Sequence, residues 1–311
     1  MKKFVILSDI TCDLSKEIRD FIGLEDYITG YVEINGKSLS TTLNWDNISR
    51  EEFYKILANA KNKVSSAAPN IEDYYNKFKA YVEAGYAVIS ISISSKISGT
   101  YNVSLLGRDK VLEEYPDAKI HCIDSLRMSG SLGLLVLYAC MLKNEGKTYE
   151  EVSEWLETNK HRVHQMGPID DLTFVARRGQ ISKGKAFMGN LVGIKPMGDS
   201  NREGYVTILA KAKGIKKALK ITVEYVKAIA TNLENQYLII SHTYREEIAK
   251  DLKQLLLSEI KCKDVLISDV FSGCGTNIGP GMVGVYFLGN PITEDLETER
   301  TTIKDIMTNL K

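Results

Sequence analysis

The 311-residue sequence is poor in several things that mark a function. Its five cysteines, Cys12, Cys122, Cys140, Cys262 and Cys274, include no CxxC pair, so neither a zinc ribbon nor a disulfide scaffold is encoded and reduced cytosolic thiols are expected. Forty basic residues balance forty acidic ones, which leaves no broad field to recruit nucleic acid or an anionic membrane. Of the four histidines, His161 and His164 could share a helical face but have no third ligand nearby, so a solvated pair is expected and no metal site. The full GxxxxGK[ST] of a P-loop and the GxSxG elbow are both missing, which argues against nucleoside triphosphate and serine-hydrolase chemistry. Long apolar runs are missing too. The longest uncharged stretch, Ser129 to Leu142, has the length of a buried core helix rather than a membrane span, and the run before Asp9 is too short for a signal-peptide core. A soluble cytoplasmic protein without stable membrane insertion is expected.

What is present centres on Ile89 to Tyr101, ISISISSKISGTY. Ile89, Ile91 and Ile93 alternate with serines, the period of a buried strand. Ser94, Ser95, Ser98 and Thr100 then crowd around Gly99, and Val103, Leu106, Val111 and Leu112 follow at helical spacing. A strand, a hydroxyl-rich turn and a helix start in that order favour an anionic group, because the first turn of a helix leaves N–H groups unpaired. Helix capping by Ser98 or Thr100 is the equal alternative at this point.

With 44% hydrophobic residues the chain can bury a large core. Phe4 to Ser8 reads as a strand handing over to Asp9, and Ser15 to Phe21 as a short helix. Ile28 to Thr41 reads as a hairpin through Asn35-Gly36, and Trp45 to Asn59 as a helix capped by Ser49. Ser65 and Ser66 precede a helix over Ile71 to Ala84 and are read as turn or capping residues. Alternating strands and helices make a parallel sheet flanked by helices the economical architecture, with ligands at the carboxyl ends of its strands. From about Thr148 the pattern changes. Arg177, Arg178, Lys183 and Lys185 accompany a helix near Ser182 to Leu191 and are read as solvated. Glu203 to Lys213 forms a hairpin, the glycine-punctuated FSGCGTNIGPG marks tight turns, and Thr293 to Leu310 is a polar helix.

These residues together resemble the DegV family of bacterial fatty-acid-binding proteins, which includes the acyl-carrying subunit of fatty acid kinases. The marks are Ser8-Asp9, Ser65-Ser66, SSKISGTYNVS from Ser94 to Ser104, Ile123 to Ser125, Asp170 to Leu172, RGQIS from Arg178 to Ser182, Ile194 to Pro196, and Gly279 to Gly281. They fall in order over about residues 3 to 289. The resemblance implies a two-lobed DegV-like α/β fold, with a parallel sheet flanked by helices in an N-terminal lobe (1–155), a second mixed α/β lobe (156–290) and a helical tail (291–311).

It also implies a noncatalytic protein without a cofactor that buries one long-chain fatty acid between the lobes. The family's carboxylate-holding hydroxyls fall on Ser65 and Ser98, and Asn277 stands where many members have histidine. The implied partners are the fatty acid and a fatty acid kinase catalytic subunit. Gln180 and Lys213 replace the family's arginine marks on the side that serves the kinase. Two readings of other classes stand beside this one: a serine-dependent phosphotransferase or hydrolase, and a regulatory module docking a protein through its basic segment.

Overall fold

The computed structural model describes residues 3–24, 26–170, 172, 174–175 and 193–310. In chain order the first part holds β1 (Phe4–Ser8), α1 (Lys16–Ile22), β2 (Gly30–Ile34), β3 (Lys37–Thr41), α2 (Arg50–Ala58) and β4 (Val64–Ala67). Then come α3 (Ile71–Glu83), β5 (Ala87–Ser92), α4 (Thr100–Glu114), β6 (Ile120–Asp124), α5 (Gly130–Asn144) and α6 (Tyr149–Asn159). The remainder holds β7 (Val163–Met166), β8 (Ile194–Ser200), β9 (Val206–Lys213), α7 (Ile215–Ile229), β10 (Tyr237–His242) and α8 (Glu246–Glu259). It closes with β11 (Asp264–Asp269), α9 (Ser272–Ile278), β12 (Val283–Leu288) and α10 (Glu297–Asn309).

The isoleucine alternation becomes β5, the middle strand of a parallel sheet ordered β1-β5-β6. Every residue of β5 is buried, because helices cover both faces of the sheet. Period two decides which side chain meets which layer. Leu7, Val88 and Cys122 pack with Tyr74, Phe78 and Val111 of α3 and α4, whereas Ile6, Ile89 and Ile91 pack with Leu132, Leu135 and Val136 of α5. An antiparallel sheet, β3-β2-β4, stands beside this layer, with the Asn35-Gly36 turn joining β2 to β3.

The uncharged stretch forms α5, in which every residue from Gly130 to Leu137 is buried. A helix apolar on all sides must be enclosed on all sides. One flank of α5 meets β1 and β5; the other meets β7, β10 and β12 of a mixed sheet ordered β11-β10-β12-β7, so Ile239 and Tyr286 join the same core. In that sheet β10 and β11 run parallel, and β12 and β7 antiparallel to their neighbours. The α/β class with a helix-flanked parallel sheet and a second mixed unit therefore holds. Among the described residues no helix is long and apolar enough to cross a membrane.

Several local expectations are corrected. Ser65 and Ser66 lie in β4, paired with Glu33 and Val32 of β2. A four-residue strand of small side chains carries no apolar period of its own, and its neighbour creates it. His161 and His164 do not form a solvated pair. His164 is buried in β7, its Nδ1 2.7 Å from Asp199 Oδ2 and its Nε2 2.8 Å from the Asn290 carbonyl. The hairpin expected at Glu203 starts earlier, pairing β8 with β9, and part of FSGCGTNIGPG is the helix α9. The basic segment with Arg177, Arg178, Lys183 and Lys185, and the helix expected near Ser182 to Leu191, lie outside the described residues.

α5 comes close to the loop after β1 at Gly133, where an added Cβ would stand 2.4 Å from the Cys12 carbonyl oxygen. A backbone obstacle cannot rotate away, so Gly133→Ala should cost about 1–3 kcal/mol, as overpacked cores do. Urea unfolding of the variant checks this.

Candidate functional site

β1 ends in Ser8, Asp9 follows it directly, and β5 ends beside them. Ser8 Oγ donates to the Ile91 carbonyl at 2.9 Å. Asp9 is fully buried: Oδ1 accepts from the Thr11 N–H at 2.8 Å and from the Thr11 hydroxyl, and Oδ2 accepts from the Ile93 N–H at 3.1 Å. Burial raises its carboxyl above the usual range, against the pull of those bonds. The chain after Ile93 then turns toward α4. Ser98 Oγ accepts from the Thr100 N–H at 3.3 Å and lies 2.8 Å from Thr100 Oγ1. The N-cap of α4 is Gly99, which has no side chain to cap with; Ser98, one residue earlier, bonds the first turn at Thr100 and lines a cleft.

That cleft, about 360 Å³, is walled by six separate segments, and its lining includes Asp9, Thr11, Ser66, Ser98, Thr100 and Asn277. Of the expected binding residues, Ser98 and Asn277 line it. Ser65 is not among its lining residues, and its neighbour Ser66 is. Successive strand residues point to opposite faces, so a pair of serines in β4 can present only one to the cleft. Asn277, on α9, donates from Nδ2 to Ser66 Oγ at 2.9 Å. The resemblance points to Ser65, whereas the register of β4, which is not visible in the sequence, puts Ser66 on the cleft side.

Met128 borders this cleft and also a second, apolar cavity of about 50 Å³. That cavity is lined by Met166, Ile169, Val175, Met282 and Tyr286 among others, and by Ile278, which directly follows Asn277. The polar and apolar compartments therefore share one wall, the flexible thioether of Met128. The backbone on both sides of Met128 is strained, with φ +53° at Leu126 and φ +52° at Ser129. Ser129 donates to Asp13 Oδ2 at 2.6 Å, and the Phe271 N–H donates to Asp13 Oδ1 at 2.9 Å. Burial nevertheless pushes the Asp13 carboxyl up to about 8.

The cleft offers hydroxyls and an amide. No lysine, arginine or histidine is among its lining residues. Its thiol, Cys274, is pushed well above the ordinary range by burial and by Asp13, which leaves little thiolate to act as a nucleophile. His242 pairs with Asp269 at 3.6 Å and His121 with Glu157 at 3.4 Å, both away from these serines. Among the described residues no group of three His, Cys, Asp or Glu side chains could hold a metal ion.

Residues 3–290 match a family model described as "Uncharacterised protein, DegV family". A DegV domain-containing protein of Clostridium perfringens is 34% identical over 293 residues, covering 93% of this chain and 99% of that protein. A solved fatty-acid-binding DegV family protein from Thermus thermophilus superposes with TM-score 0.82 at 25% identity, covering 93% of this chain and all of the other. A DegV lipid binding protein from Thermotoga maritima gives 0.81 at 25% identity, with 93% and 99% covered. The fatty acid kinase B3 protein of Streptococcus pneumoniae, loaded with linoleic acid, shares the fold at TM-score 0.76 and 22% identity, with 93% and 100% covered.

The Asp13 carboxyl gives a signed expectation for pH. Its folded value lies above the unfolded one, so the folded state keeps a proton that the unfolded state releases, and stability falls as pH rises from roughly 4 through about 8. Asp13→Asn has no such proton to lose. Urea titrations should show the variant gaining on the wild type as pH is raised across that window.

Proposed function

The chain belongs to the DegV family, and from that premise we propose that it is a noncatalytic carrier of a long-chain fatty acid. The carboxylate sits among Ser66, Ser98 and Asn277, and the hydrocarbon enters the apolar cavity past Met128. The observation that carries this reading is a cleft rich in neutral donors that shares Met128 as a wall with a cavity lined by methionine, isoleucine and valine. The Thermus thermophilus and Thermotoga maritima relatives, named for fatty acid and lipid binding, support it. Ser66 takes the role first assigned to Ser65, because Ser66 is the serine that faces the cleft.

The energetics are consistent. A tail of about sixteen carbons buried at about 0.8 kcal/mol per methylene contributes on the order of 10 kcal/mol, enough to offset association costs. The carboxylate must be hydrogen-bonded as it leaves water. Two serines and an asparagine, beside the start of α4, supply donors without a cation. At about 50 Å³ the cavity is smaller than such a tail, so loading requires its lining side chains to move. Met128, Met166 and Met282 are suited to that, since unbranched thioethers repack readily.

Presentation of the acyl group to a fatty acid kinase catalytic subunit extends the same reading, and a cytoplasmic location fits it. Of the two departures noted on that side, Lys213 stands exposed at the end of β9 and Gln180 lies outside the described residues.

Protein purified from a bacterial host should carry an acyl chain visible by native mass spectrometry. Ser66→Ala and Ser98→Ala should each weaken fatty acid binding by about 1–3 kcal/mol, the cost of leaving a buried polar group unpaired. Ser65→Ala should leave binding unchanged. Calorimetric titration in which Ser65→Ala weakens binding and Ser66→Ala does not would return the role to Ser65.

A further inference from the structure

Three glycines line the apolar cavity, and they are there for different reasons. At Gly167 an added Cβ would lie 2.0 Å from the Val283 carbonyl oxygen, and at Gly198 2.2 Å from that of Thr207. Both positions need glycine because another backbone passes too close for any side chain. Gly284 differs. Its Cβ would meet only Met282 Sδ and Tyr286 Oη at 3.4 Å and Tyr286 Cζ at 3.6 Å, which is ordinary van der Waals contact. Its φ lies outside the left-handed region, so the backbone does not require glycine either.

β12 explains where that unused side-chain position points. Val283, Val285 and Phe287 face the core built with α7 and β10, while Met282, Gly284 and Tyr286 share the other face, and all three line the cavity. A side chain at 284 would therefore stand between the thioether of Met282 and the phenol of Tyr286, inside the space assigned to the hydrocarbon. We propose that Gly284 is a specificity-determining residue: its missing side chain leaves a passage between Met282 and Tyr286 through which a long, unbranched acyl chain extends. This rests on the fatty acid reading above, and it adds which residue decides how long a chain is accepted.

The test compares wild type, Gly284→Ala and Gly284→Leu, delipidated and titrated with decanoate and stearate, alongside the acyl chains that co-purify from bacteria. Long chains should lose affinity by about fourfold for each methylene excluded, that is, about fourfold for Gly284→Ala and tenfold or more for Gly284→Leu. Decanoate binding should stay near the wild-type value in both, a selectivity that general destabilisation would not produce. If Gly284→Leu does not fold, Gly284→Ala decides, since its Cβ fits without displacing backbone. A loaded wild type whose Gly284 variants keep the same chain lengths and the same stearate-to-decanoate ratio would overturn the role of Gly284 and leave the carrier intact. A wild type that neither carries nor binds an acyl chain would instead remove the carrier reading and this inference with it.

Discussion

One buried carboxylate holds the polar end of the site together. Asp9 accepts the Ile93 N–H from the end of β5 and both the N–H and hydroxyl of Thr11 from its own loop. These bonds occupy the acceptors of a group that burial would otherwise make very costly. They also fix the carboxyl ends of two adjacent parallel strands relative to each other. The turn bearing Ser98 departs from one of those ends, and the loop bearing Thr11 from the other. Fixed strand ends at the edge of a parallel sheet are where α/β folds build their ligand sites.

α5 supplies the other half of the arrangement. Because it is apolar on every face, it can be shared between the β1-β5-β6 layer and the mixed sheet, which brings β12 and α9 against the loops after β1 and β6. Asn277 and Ser66 come from positions 211 residues apart and still meet at 2.9 Å. The cleft thus depends on chain segments that have no proximity in sequence, held in place by one enclosed helix.

This explains what could and could not be read from the residues alone. Local signals were enough for β5, for the Asn35-Gly36 hairpin and for α2, where Ser49 Oγ does accept the Glu52 N–H at 3.2 Å. Motif order was enough for the family and, through it, for Ser98 and Asn277 as candidates. What failed depended on pairing partners. β4 has no apolar period, so whether Ser65 or Ser66 faces the cleft is decided by its register on β2. His164 looked solvated because its partner Asp199 lies thirty-five residues away on β8. The glycine-rich run looked like turns because α9 is stabilised by its packing against β4 and β2 rather than by propensity.

Within the cleft the groups assigned to the carboxylate pair with one another, Asn277 with Ser66 and Ser98 with Thr100. On the carrier reading proposed above, an arriving acid exchanges these pairings for bonds to its own carboxylate, so the headgroup gains only the difference between the two sets. Retention then depends mainly on how much chain is removed from water. On that reading, a carrier built this way keeps its polar groups paired between cargoes, and it can release the acid end while the tail still holds the molecule in place.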